Sequence, residues 1–101
     1  MIYHLTEPAV WERSLADGSH TSSTRGRTLE QEGFIHCSTP EQWPGVRDRF
    51  YADVEELLLL HVDERLVEAP VVFERVGDAP GEFPHVYGPI PLTAVVRVER
   101  L

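Results

Sequence analysis

The chain has 101 residues, 42% hydrophobic and 26% charged, a composition that suits one compact domain over residues 1–101 and excludes both disorder and a coiled coil. Seventeen acidic against nine basic residues leave a formal net charge of -8, the wrong sign for general nucleic-acid binding. A small anionic ligand stays open, because a few local arginines or backbone N–H groups outweigh the mean field over one Debye length.

Residues 2–6 read as a first strand, with Ile2, His4 and Thr6 on one face and Tyr3 and Leu5 on the other. Thr6 then caps a helix over about residues 7–17, whose first turn tolerates Pro8, whose buried stripe is Trp11 and Leu15, and whose stop is Gly18. Residues 19–27 are polar, lack hydrophobic periodicity and hold two arginines around a glycine, so a mobile loop is expected, the best candidate for an anion-contacting lid. Thr28-Leu29-Glu30-Gln31 fits a capping box opening a short helical turn closed by Gly33. Residues 34–38 return to strand character, with Phe34, His36 and Ser38 on one face and Ile35 and Cys37 on the other. Thr39-Pro40-Glu41-Gln42 is a second capping box, and Pro44 with Gly45 predicts a kinked or two-piece helix before residue 51. The run 57–62, apolar but for His61, suits a central strand buried on both faces. Residues 71–76 and 94–98 form two further strands. The stretch 77–91 holds four of the eight prolines and three of the seven glycines, so it should be loop-like with at most a short extended piece at residues 85–87.

These elements predict an α+β fold: a twisted, mixed or mostly antiparallel sheet split around a cleft, with two or three short helices outside it. At this length only roughly 60–65% of the unfolded surface can be buried, which allows one modest core and one surface site. A second copy would help complete that site, so a homodimer is a candidate assembly. The N-terminus lacks a basic leader pattern and the longest apolar run, residues 57–60, is far too short to span a bilayer, so no membrane partner and a cytoplasmic location are expected.

All nine basic residues are arginine, which removes Schiff-base and P-loop lysines from consideration. The single cysteine, Cys37, excludes an intramolecular disulfide and any one-chain zinc site with two thiolates. It reads as a small core residue, because strand neighbours point to opposite faces and His36 cannot activate it. Of five histidines, His4, His36 and His85 lie in segments dense with aromatic, glycine or hydroxyl residues. Three imidazoles can hold zinc, as in a metal-dependent hydrolase, but no His-x-His or His-x-x-x-His pair supports that reading and no metal is expected. Glu74 faces either a cleft or solvent; meeting the histidines, it would orient an imidazole or stabilise a positive transition state. Arg47 and Arg49 read as surface solubility.

Ile-Tyr-His-Leu-Thr at 2–6, Trp11, Leu-Glu-Gln-Glu-Gly-Phe-Ile-His-Cys-Ser at 29–38, Glu74 and Phe-Pro-His-Val-Tyr-Gly-Pro-Ile at 83–90 resemble the bacterial domain-of-unknown-function family 952 over essentially the whole chain. That family looks like a compact, divergent member of the ADP-ribosyltransferase-like superfamily, nearest the RNA 2′-phosphotransferase branch, which uses two histidines. The resemblance implies NAD as co-substrate and an ADP-ribosyl-transferring enzyme or NAD-binding relative. It implies that His4, with Thr6, contacts a ribose hydroxyl, that His36 lies by the nicotinamide ribose and that Arg25 or Arg27 reaches the pyrophosphate. Ser38, His85 and Tyr87 would line the nucleotide pocket, and Glu74 is the candidate carboxylate of a catalytic set with His4 and His36. The chain is shorter than an RNA phosphotransferase, lacks its RNA-binding lobe and is acidic, all of which count against RNA substrates. The alternative is a non-catalytic module binding a small ligand or partner on the same fold. Glu74 in the histidine cleft would favour catalysis, and Glu74 in solvent the module.

Overall fold

Every strand pairing in the molecule is antiparallel. The computed structural model describes residues 1–101. In chain order the elements are β1 (Ile2–Thr6), α1 (Pro8–Asp17), β2 (Ser19–His20), β3 (Ser22–Thr24), β4 (Arg27–Thr28), α2 (Leu29–Glu32), β5 (Ile35–His36), α3 (Trp43–Phe50) and β6 (Leu58–Val62). After a 3₁₀ turn at Glu64–Leu66 come β7 (Val71–Glu74), β8 (Phe83–Val86), β9 (Ile90–Pro91), a second 3₁₀ turn at Leu92–Ala94, and β10 (Val95–Arg100). Antiparallel strands beside short helices make this an α+β fold, as the sequence predicts.

Two three-stranded sheets, β1-β6-β10 and β5-β8-β7, dominate, with two small ladders, β2-β9 and β3-β4, at their margins. The leucine run lies where its composition demands: Leu58, Leu59, Leu60 and Val62 are all buried on the central strand β6. The main core joins Ile2, Leu60 and Val62 of one sheet to Ile35, Cys37 and Val86 of the other. A smaller cluster of Leu5, Tyr51, Leu57 and Leu59 seats α3 through Trp43 and Val46. Tyr3 and Ser38 stitch the two sheets together by exchanging backbone bonds, Tyr3 N–H to the Ser38 carbonyl at 2.8 Å and Ser38 N–H to the Tyr3 carbonyl at 2.7 Å. No helix is long and apolar enough to cross a membrane.

Several local expectations need correction. Helix α1 starts one residue late, with Glu7 at the N-cap and no side-chain cap, so Thr6 ends β1 instead. Leu15 is 53% exposed. The inward face of α1 carries Trp11 and Ser14, three residues apart, because Ser14 is needed as a partner for His20. Residues 19–27 are not an open loop. Backbone pairing of His20 with Ile90 and of Ser22 with Thr28 orders them, and the buried Ser23 hydroxyl donates to the Phe34 carbonyl.

The first capping box forms as predicted: Thr28 Oγ1 accepts from Gln31 N–H at 3.2 Å and Gln31 Oε1 accepts from Thr28 N–H at 2.9 Å. Helix α2 then stops at Gly33, whose φ of 87° is open to glycine at little cost. In α3, Pro44 falls in the first turn, where its missing N–H has no helical partner to lose, so the helix runs unbroken through Gly45. The 77–91 stretch contains more strand than expected. β8 starts at Phe83, and the buried Pro84 keeps its carbonyl on the Cys37 N–H at 3.0 Å.

Candidate functional site

A cleft of about 610 Å³ opens between β1, the β3 turn, the 36–38 segment, α3 and the 76–80 segment. His4, His36 and Ser38 line it. His4 lies on a strand paired with the buried β6, opposite Leu60, so its ring is fixed and only 2% exposed. Its Nδ1–H donates to the main-chain carbonyl of His36 at 2.6 Å. That bond sets the tautomer and leaves Nε2 as an acceptor, buried and without a protein partner. Burial is the main reason its pKa falls to about 4, the His36 carbonyl pulling the other way.

A second histidine stands behind the first. His20 meets His4 edge-on at 4.8 Å between ring centroids, with its Nδ1 2.7 Å from the Ser14 hydroxyl. Burial, reinforced by His4, lowers its pKa to about 3. Both imidazoles are therefore neutral at physiological pH. The polar 19–27 composition hid His20; the signal for it is the Ser14 hydroxyl on the inward face of α1.

His36 connects the cleft to a separate cluster. Its Nε2–H lies 3.3 Å from Glu32 Oε1, and burial lowers its pKa against the opposing pull of that carboxylate. Strand register sets it opposite His85, with ring centroids 5.2 Å apart. His85 stacks on Phe34 at 4.0 Å and donates from Nδ1–H to Glu74 Oε1 at 2.8 Å. The Tyr87 hydroxyl donates to the same oxygen. The hydrogen bonds from Tyr87 and His85 hold the Glu74 carboxyl below its usual range, and Glu74 in return raises the Tyr87 phenol. His85 Nε2 is left buried and unpartnered. Glu74, His85 and Tyr87 are absent from the cleft lining and reach it only through His36.

The other candidates fall elsewhere. Thr6 is buried outside the cleft lining. Arg25 grips Asp53 with two bonds of 2.7 and 2.9 Å, and Arg27 is held by Glu32 at 3.0 Å; neither lines the cleft. Arg49 does line it, together with Gly45, Val46 and Phe50. That spacing is one helical face and was present in the sequence once α3 was taken as unbroken. Cys37 is buried and desolvation pushes its thiol far up, so it is no nucleophile. No three His, Cys, Asp or Glu side chains converge as metal ligands, which removes the geometric basis for a three-histidine hydrolase.

Two bridged antiparallel sheets with a histidine from each lining one cleft define the class: a small α+β protein with a preformed ligand-sized site. The family model described as "Protein of unknown function (DUF952)" matches residues 5–98, and the chain belongs to that family. The crystal structure of CC0527 from Caulobacter crescentus is similar, with a TM-score of 0.85 at 27% identity, covering 99% of this chain and 84% of that one. A doubly substituted form of the same protein gives a TM-score of 0.84 at 27% identity over the same shares of each chain. Its solution structure, at 24% identity and a TM-score of 0.70 over 97% of this chain and 81% of that one, supports the fold alone. No curated protein matches the chain.

Proposed function

We propose that the cleft binds NAD or a closely related dinucleotide, and that the chain is an ADP-ribosyl-transferring enzyme or an NAD-binding relative of one, on an ADP-ribosyltransferase-like fold. The carrying observation is the His4–His36 pairing: two histidines on strands of different sheets, tied by the Nδ1–H to carbonyl bond, line one cleft. In this reading the buried His4 ring backs the cleft beside a ribose, and the His36 ring, with Ser38 beside it, lies by the nicotinamide ribose.

Transfer breaks the bond between C1′ and the pyridinium nitrogen. Its electron pair leaves with nicotinamide, and the acceptor's lone pair closes on the oxocarbenium carbon as its proton departs. Positioning and charge stabilisation supply most of such a rate enhancement. His36, whose pKa burial lowers and whose ring Glu32 steers, is the imidazole in the cleft that takes that proton in this reading. Glu74 acts only at one remove, by fixing the His85 ring against which His36 packs.

The position of Glu74 favours a second reading, a binding module without turnover. Its near oxygen is occupied by His85 and Tyr87 and it does not line the cleft. Incubation with NAD, followed by chromatography for free nicotinamide, separates the two. Release that is abolished in His36→Ala establishes the enzyme. Saturable NAD binding without release establishes the module, and neither binding nor release ends both.

A further inference from the structure

The acidic chain keeps its carboxylates out of the cleft with one exception. Of seventeen acidic residues, only Asp78 lines it. The arginines divide just as sharply. Arg25, Arg27, Arg47, Arg65, Arg97 and Arg100 each have a carboxylate within 4.0 Å. Of the remaining three, Arg13, Arg49 and Arg75, only Arg49 lines the cleft.

Arg49 is also prepared for a ligand. It lies on the last turn of α3, and its guanidinium rests over the Phe50 ring at 5.3 Å. Phe50 is 55% exposed and lines the same cleft. A cation on an aromatic face keeps its planar fork oriented and its N–H donors free. The Ser38 hydroxyl, in the same lining, offers a neutral hydrogen bond. An exposed arginine with no internal partner, over an aromatic platform, suits bidentate recognition of a phosphate.

We infer that Arg49, with Phe50 as its platform, is the phosphate-anchoring subsite of the cleft, taking the diphosphate of a nucleotide in place of Arg25 and Arg27. The inference deepens the nucleotide reading and rests on it for the identity of the ligand, but not for the anion. Arg25 and Arg27 would have to give up Asp53 and Glu32 to do this work, and Arg49 gives up nothing. Asp78, the one carboxylate in the lining, opposes the anion, so its removal strengthens binding.

The test is calorimetric titration of ADP, adenosine and inorganic pyrophosphate into the wild type, Arg49→Ala, Arg49→Lys, Asp78→Asn and Arg25→Ala. The expected result is at least about a tenfold loss of ADP affinity in Arg49→Ala, the scale of a hydrogen bond to a charged group. Adenosine affinity stays unchanged, Arg49→Lys recovers part of the loss, Asp78→Asn tightens ADP and Arg25→Ala binds as the wild type does. Pyrophosphate binding that depends on Arg49, without any nucleotide binding, upholds the subsite and sinks the nucleotide reading. Nucleotide binding indifferent to Arg49→Ala upholds that reading and overturns the subsite, as does a wild type that binds neither ADP nor pyrophosphate.

Discussion

The Nδ1–H of His4 and the main-chain carbonyl of His36 meet at 2.6 Å although thirty-two positions separate them in the chain. The first histidine belongs to the β1-β6-β10 sheet and the second to β5-β8-β7. The bond therefore works twice, closing the seam beside the Tyr3–Ser38 bridge and presenting both rings to one cleft.

Removing that bond weakens the seam. His4→Ala deletes a buried ring and orphans the His36 carbonyl, and should cost about 2–4 kcal/mol. His4→Asn, whose amide can reproduce the donor, should cost less. Urea denaturation of the two variants checks the order, and equal losses would show that the hydrogen bond contributes nothing beyond packing.

Acid should destabilise the protein before its carboxylates titrate. His4 and His20, with folded pKa values of about 4 and about 3, sit below the unfolded value of about 6.5. Between these limits the unfolded chain binds more protons, so stability falls as pH drops from about 6.5 towards 4, ultimately by on the order of 3 kcal/mol per histidine. The penalty is absent above about pH 7. Thermal melts from pH 7.5 to 5 read this window, and His20→Gln should reduce the slope. A melting temperature flat across that range would contradict neutral burial of the pair.

Glu74→Gln should leave the fold intact and move one phenol. Tyr87 is raised mainly by its bond to the Glu74 carboxylate, so removing that charge brings its titration down towards the ordinary tyrosine range. Absorbance titration against Tyr87→Phe assigns the change. An unaltered profile would mean that the Glu74–Tyr87 contact is not formed in solution.

Gly88 lies in the 83–90 run, and its role is packing. A Cβ there would stand 2.6 Å from the Ala69 Cβ. Gly88→Ala should therefore cost about 1–3 kcal/mol through displaced backbone, with ligand binding unchanged below the melting transition. A fully stable Gly88→Ala would show that the 69 and 88 segments separate freely.

What was legible in the sequence was what local chemistry decides. The leucines of 57–62 required two-sided burial and form β6, and Thr28 with Gln31 closes a capping box. The facing of Phe34 with His36, ring centroids 4.7 Å apart, follows strand alternation. What was illegible depended on distant partners. Residues 19–27 look like a loop because their order comes from Ile90, Phe34 and the β3–β4 ladder. Arg25 and Arg49 are indistinguishable as letters; Asp53, twenty-eight residues on, occupies one and leaves the other free. Glu74 stands out in the sequence as a strand carboxylate, yet its attachment to Tyr87 rather than to the cleft is a matter of strand register.

The central claim is that His4 and His36 form the nucleotide-facing floor of the cleft, and imidazole NMR tests it most directly. Long-range proton–nitrogen spectra resolve all five ring systems, and His61, paired with Glu99 and outside the cleft lining, serves as an internal reference. On addition of NAD the account predicts saturable shifts at His4 and His36 with His61 still. Unchanged spectra, or shifts of equal size at His61, would contradict it.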